Sequence, residues 1–340
     1  MKNIIIIIII FGLSYIANSQ PFTITKDTIN INIKELIKPA TGAVITHAVR
    51  HNNKYYCYFE ERILNGRDLK YFFIISENGE VEHKIQIPRD ISNTTYYDLF
   101  IRNDSIFTKT YMDHNTYYLD KIKLEWIKIN EVDDMIYEDD NFYVTHLDFG
   151  EWGSTTWFKD KKTGKEYELK SSGKIVNKLD SVYYISSWLS ILSIDDPRLL
   201  KQCRSNYYYG IVEKEHYTKL IRGTNSLLGV KALFKDSIYS FWDDRSPKVT
   251  IATSFVSNNK LFHLCVDSVN TYIAKLEAGN LIPMQIIAEN FSISDWHYSH
   301  RCKIQNDNSQ LLKFQTKKEK RWGFIEINGG NIRIRFLEFE

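Results

Sequence analysis

Ala48-Val49-Arg50-His51-Asn52-Asn53-Lys54-Tyr55-Tyr56 is the stretch that decides the fold. An apolar run meets a polar Asn-Asn pair and resumes with aromatics. Asn and Asp tolerate left-handed backbone angles and hydrogen-bond their own turn. β-Branched and aromatic residues on either side suit strands. The stretch therefore predicts two antiparallel strands joined by a tight turn. The pattern returns as Phe100-Ile101-Arg102-Asn103-Asp104-Ser105-Ile106-Phe107. Further copies turn at Asp139-Asp140-Asn141, Asp180-Ser181, Asp236-Ser237, Asn258-Asn259 and Asn306-Asp307-Asn308.

A second hairpin usually follows each first one. Leu69 to Ser76 turns at Asn78-Gly79 and returns to Ile87. Thr155 to Lys159 turns at Thr163-Gly164, Thr271 to Leu276 at Ala278-Gly279, and Trp322 to Ile327 at Asn328-Gly329-Gly330. The repeating unit is thus four short strands in up-and-down order. The first apolar residues after the first-hairpin turns are Tyr55, Ile106, Phe142, Val182, Ile238, Leu261 and Leu311. Their mean spacing is about 43 residues, and a four-stranded propeller blade takes about 40–50. The step from Val182 to Ile238 is too long and the next, to Leu261, too short. A further strand start at Ser205 to Tyr209 would make eight units. No long segment has a 3.6-residue period.

Residues 22–340 resemble the β-propeller class at the level of this pattern. The fold expected is all-β, with about seven four-stranded blades. Six or eight blades, or stacked β-domains, are the alternatives. The Trp-Asp and Gly-His signatures of WD40 repeats and the double glycine of kelch repeats are missing. The resemblance implies a toroid with a central channel and carries no activity with it. Thr23 to Ile33, with alternating Ile29, Ile31 and Ile33, predicts an N-terminal strand that closes the last blade and covers its edge.

The composition agrees with a folded domain. The chain has 340 residues, 44 Lys+Arg against 42 Asp+Glu, 43% hydrophobic and 14% aromatic residues. That excludes a disordered chain or a rod. A formal charge of +2 gives no global reason to expect nucleic acid. Residues 1–19 predict a cleaved signal: Lys2, then Ile4 to Leu13, then Ala17-Asn18-Ser19 before Gln20. The apolar run falls short of the roughly 20 residues of a spanning helix. The expectation is a secreted or periplasmic protein, a single domain over 20–340, and no transmembrane segment in the mature chain. Cys57, Cys203, Cys265 and Cys302 permit disulfides after export. No pair has C-x-x-C spacing, and Cys57 and Cys265 sit in strand-like runs that suit buried thiols.

In a propeller, the tight Asn/Asp turns gather on one face. The opposite face is built by loops between second and third strands and between blades. Functional residues usually sit on such loops. The residues expected there are Glu60, Glu61 and Arg62; Arg89 and Asp90; Asp113 and His114; Asp133 and Asp134; Asp148. The leading binding candidates are Glu151 and Trp152; Trp242, Asp243 and Arg245; Trp296 and His297. Trp rings stack on apolar ligand surface, and carboxylates accept hydrogen bonds, which suits a protein or glycan partner. Asp139-Asp140 reads as turn and Asp195-Asp196, before Pro197, as a cap. No calcium loop, metal motif or catalytic signature is present, so no metal or cofactor is implied. The leading expectation is an exported, non-catalytic binding protein. A polysaccharide hydrolase or lyase using loop carboxylates, and a structural component of an envelope assembly, are the alternatives.

Overall fold

A computed structural model of the chain describes residues 22–33, 44–62, 68–110, 115–130, 135–148, 154–203, 224–236, 247–293 and 309–339. Its strands form six sheets arranged as the blades of a propeller. The first strand, β1 (Thr23–Ile31), belongs to the last blade. Blade 1 is β2 (Val44–His51), β3 (Lys54–Arg62), β4 (Asp68–Ser76) and β5 (Val81–Ile85). A short helix, α1 (Arg89–Ser92), leads to blade 2: β6 (Tyr97–Arg102), β7 (Ser105–Thr110), β8 (Thr116–Asp120) and β9 (Glu125–Ile129). Blade 3 is β10 (Met135–Glu138), β11 (Phe142–Asp148), β12 (Ser154–Asp160) and β13 (Glu166–Lys170). Blade 4 opens with β14 (Ile175–Leu179), β15 (Val182–Ser186) and β16 (Ser190–Ile194). The chain then returns to blade 3, where β17 (Lys201–Gln202) pairs with β13, before β18 (Lys231–Lys235) completes blade 4. Blade 5 is β19 (Thr250–Ser257), β20 (Lys260–Val266), β21 (Asn270–Glu277) and β22 (Asn280–Glu289). Blade 6 holds β23 (Phe291–Ser292), β24 (Ser309–Thr316), β25 (Trp322–Asn328) and β26 (Asn331–Phe339).

The blade count is six, one of the alternatives the spacing allowed, rather than seven. Leu233 to Lys235 is not an inner strand opening a blade. It is β18, the outermost strand of blade 4. The residues between Ile194 and Lys231 separate it from β16 and account for the uneven steps. Ser205 to Tyr209, Ile238 and Cys302 lie outside the described residues.

The turn chemistry is as the sequence predicts. Asn52 and Asn53 have φ of 48° and 58°, Asn103 and Asp104 46° and 61°, Asn258 and Asn259 48° and 53°. Two left-handed residues in succession match the right-handed twist of the flanking strands. In blade 3, Asp139 Oδ1 accepts from the backbone N–H of Asn141 and Phe142, both at 2.8 Å. Asp196 caps the 3-10 turn Pro197–Leu199, as its place before proline suggested.

Alternation along each strand sends neighbouring side chains into opposite seams. Tyr55, Cys57 and Phe59 face blade 6, while Tyr56 and Tyr58 face blade 2. The aromatic pairs are therefore packing between blades. A polar contact also crosses every seam. Thr46 Oγ1 meets Tyr97 Oη at 2.7 Å, and Arg102 donates to Tyr143 Oη at 2.6 Å. Lys178 donates to Asp139 at 2.6 Å, and Asn177 to the Ser254 carbonyl at 3.1 Å. Thr253 donates to Gln310 at 2.6 Å, and Lys313 to the Thr46 carbonyl at 2.8 Å. The last of these returns the ring to blade 1.

The seam between blades 4 and 5 holds a buried polar cluster. Ser254 Oγ lies 2.7 Å from both Ser186 Oγ and His263 Nδ1. All three side chains are fully buried. The Ser254 carbonyl also accepts from Gln310 Nε2 at 3.0 Å, so this residue joins three consecutive blades.

Closure uses a fifth strand. β1 lies parallel to β26, in register from Thr23 with Asn331 to Ile31 with Phe339. Ile29, Ile31 and Ile33 are buried against Tyr55, Phe73, Ile75 and Leu337. Each such burial contributes roughly 1.5–3 kcal/mol. Ahead of the strand, Phe22 is buried between blades 5 and 6, and Gln285 holds its backbone N–H and carbonyl at 3.2 and 3.1 Å. Gly79 is pressed against β1: a Cβ there would lie 2.1 Å from the Asn30 carbonyl oxygen. An ionic clasp spans the join. Asp27 accepts from Arg333 at 2.6 Å and Arg335 at 3.0 Å, and Arg333 also reaches Glu77 at 2.6 Å. Burial opposes the Asp27 and Glu77 carboxylates, but the arginines outweigh it and hold both pKa values below the usual range.

Cys57 and Cys265 are buried thiols within strands. Cys203 is free and donates to Glu168.

Candidate functional site

Strand direction divides the connections between two faces. Inner strands β2, β6, β14 and β19 end at two-residue turns on the hairpin face. β1 runs to the opposite, loop face, so residues 32–43 join two strand ends there. The connections across 63–67, 86–96, 111–115, 130–134, 149–153 and 236–249 also join strand ends on the loop face.

The leading binding candidates Glu151, Trp152, Trp242, Asp243, Arg245, Trp296 and His297 all lie outside the described residues, as do Asp113, His114, Asp133 and Asp134. Asp148 and Ser154, which flank Glu151 and Trp152, are strand ends on the loop face.

The described part of that face is best defined above the seam of blades 1 and 2. One row of the blade 1 sheet places Val44, Glu60 and Lys70 side by side, with Glu61 and Leu69 paired next to them. Val44, Leu69 and Tyr96 are 37%, 44% and 40% exposed; Val44 shares the Glu60 side of the sheet, and Leu69 shares the Glu61 side. Tyr97 Oη donates to Glu60 Oε1 at 2.8 Å and sits against Thr46. Burial, then the nearby Glu60 charge, holds the Tyr97 phenol well above its usual pKa, so it stays a donor. The His47 ring lies 4.3 Å from the Tyr97 ring, beside a register shift in β2 that redirects the strand. Lys70 spans the row. Its ammonium donates to the carbonyls of Thr94 at 2.6 Å and Ser92 at 3.3 Å, and stands 3.9 Å from Glu60. It thereby fastens the end of α1, whose carbonyls have no continuing helix to bond them.

The sequence candidates separate in space. Glu60 and Glu61 are neighbours in a strand and point into different seams: Glu60 meets Tyr97 of blade 2, and Glu61 accepts from Tyr71 at 3.1 Å on the blade 6 side. They do not face one another across a pocket, as a glycosidase pair must. Asp90 turns away to accept from Tyr117 at 2.5 Å. Asp148 pairs with Lys174 at 3.5 Å. Val44, Lys70, Leu69 and Tyr96 were not singled out by sequence. In the adjacent Tyr96-Tyr97 pair, the Tyr96 ring is exposed and Tyr97, at the start of β6, is buried. No group of three or more His, Cys, Asp and Glu side chains suited to a metal occurs among the described residues. No helix among them is long and apolar enough to cross a membrane.

The row is equipped for binding. It offers one carboxylate with a fixed hydrogen-bond partner, and exposed apolar side chains lie at the same end of the blades.

No protein-family model matches the chain, and no curated protein matches it. Solved structures do. The chain is similar to the β-propeller domain of Myceliophteria thermophila Cps50 (Swd1), at 9% identity over 83% of this chain and 99% of that one, with a TM-score of 0.35. It is similar to YCF48 bound to D1 peptide, at 9% identity over 88% and 82%, with a TM-score of 0.35. It is also similar to Pyrococcus horikoshii acylaminoacyl peptidase, at 11% identity over 90% of this chain and 47% of that one, with a TM-score of 0.37.

Proposed function

We propose that the protein is an exported, non-catalytic binding module that presents its loop face to a protein or glycan. One observation carries this reading: at the loop-face end of blades 1 and 2, Val44, Leu69 and Tyr96 are exposed, and Val44 is paired beside Glu60. Exposed apolar side chains near a fixed polar group are the anatomy of a recognition patch. The Glu60 carboxylate, Tyr97 phenol and Lys70 ammonium are engaged with one another or with backbone. That favours recognition over chemistry at this row.

Export rests on the N-terminal sequence. Cleavage after Ser19 would leave Phe22 and all of β1 in the mature chain, so the closing strand survives processing. N-terminal sequencing of the protein recovered from the envelope or medium tests this, with Gln20 as the expected first residue.

The binding reading is tested by probing glycan arrays and envelope extracts with the mature protein and with the double variant Leu69→Glu/Tyr96→Glu. A retained ligand lost by the variant, at unchanged melting temperature, supports the site. Hot-spot truncations typically cost at least 2 kcal/mol of binding, about 30-fold in affinity. A ligand retained equally by both proteins places recognition elsewhere, and no retained ligand counts against a binding module.

A further inference from the structure

The join between blades 6 and 1 contains a small cavity beside the ionic clasp. Its volume is about 30 Å³, and it is lined by Arg50, Ser309, Gln310, Leu311, Glu326 and Asn328 among others. Arg50 Nη2 is committed to Asn53 at 3.0 Å and Glu77 at 3.4 Å. Arg50 Nε is buried and has no hydrogen-bond partner. The nearest carboxylate oxygen, Glu326 Oε2, is 3.8 Å away, too far for a direct hydrogen bond. The other oxygen, Oε1, is taken by the Tyr55 hydroxyl. A buried guanidinium N–H without an acceptor is costly, and a polar gap wider than about 3.5 Å is the usual setting for a bridging water.

We propose that this cavity is a structural water site. One water accepts from Arg50 Nε–H and donates to Glu326 Oε2, and the Ser309 and Asn328 side chains complete its shell. The volume exceeds the roughly 10–15 Å³ that one water needs. The water turns a loose ion pair into a continuous chain from the inner strand of blade 1 to β25 of blade 6. It secures the join on the side of the clasp away from Asp27.

A high-resolution crystal structure of the mature protein tests the site directly. The expected result is a solvent peak about 2.7–3.2 Å from both Arg50 Nε and Glu326 Oε2. A direct Arg50–Glu326 hydrogen bond, or no peak between them, overturns the proposal. In solution, Ser309→Val adds apolar volume to the cavity wall. Displacing a bound water strands the Arg50 N–H, so the melting temperature should fall by about 2–4 °C. Filling a dry void would raise it. A rise or no change overturns the proposal.

Discussion

His263 gives the molecule a defined response to mild acid. Its ring lies in the seam of blades 4 and 5, fully buried, with Nδ1 2.7 Å from Ser254 Oγ and Nε2 unpartnered. Burial pulls its pKa from 6.5 down to about 4. The folded protein therefore holds this ring neutral where the unfolded chain would already be protonated. The sign follows: the unfolded state binds the extra proton, so stability is full above pH 6.5 and is lost as pH falls from 6.5 to about 4. A displacement of that size corresponds to about 3 kcal/mol, a substantial part of a typical folding free energy. The clasp carboxylates act in a different window. Asp27 and Glu77 have folded pKa values below 3.8 and 4.5, so their contribution is present above those values and is lost below them. The assay is urea unfolding at stepped pH between 7 and 3, comparing the mature protein with His263→Leu. Leu removes the proton site and leaves the Ser186–Ser254 hydrogen bond in place. The variant should start less stable at pH 7 and lose about 3 kcal/mol less on going to pH 4. Parallel pH curves for the two proteins would refute the buried, neutral state of this ring.

Three further perturbations probe the closure and the sheet edges. Gly79→Ala puts a Cβ into the Asn30 carbonyl at a φ of 95°, whereas Gly164→Ala, at 69°, meets open space. Denaturant unfolding should show about 1–2 kcal/mol lost for Gly164→Ala and clearly more for Gly79→Ala; equal losses would mean that the β4–β5 turn does not brace β1. Arg335→Met removes a nearly buried guanidinium that donates to Asp27 and to Tyr55 Oη at 2.8 Å. It should cost about 1.5–3 kcal/mol, persisting in high salt because the site is screened from solvent; a loss abolished by salt would contradict the burial. Pro283 lies in β22, an edge strand whose exposed Ile282, Met284 and Ile286 would otherwise invite pairing. The Ala278-Gly279 turn makes Asn280 and Ile282 bond inward to β21, which leaves position 283 with its amide side on the free edge. Proline has no N–H to offer there, so Pro283→Val should increase self-association in sedimentation velocity, and an unchanged monomer fraction would count against this protection.

The reach of the sequence can be argued from where local rules act. Asn52-Asn53, Asn103-Asp104 and Asn258-Asn259 were legible because a two-residue turn needs two left-handed residues, and few side chains accept that geometry. Leu233 to Lys235 followed by Asp236 obeys the same local grammar, yet it is an outer strand. What distinguishes it is its pairing with β16, about 40 residues back, and no short window contains that fact. The closing strand shows the same limit more sharply. Alternating Ile29, Ile31 and Ile33 announce a strand with one buried face, but alternation is identical for parallel and antiparallel neighbours. Its parallel direction follows from the route of the chain. β1 must end on the loop face so that residues 32–43 can connect to the start of β2 there, and β26 already runs toward that face. Arg333 and Arg335 look like ordinary exposed charges until Asp27 and Glu77 arrive from the other end of the chain. The binding row fails to announce itself for a related reason. Glu60 and Lys70 are neighbours only through strand register, and Tyr97 joins them only because blade 2 packs against blade 1. Turns are local events and can be read from a few residues, whereas closure and recognition are properties of the ring and exist only once its two ends have met.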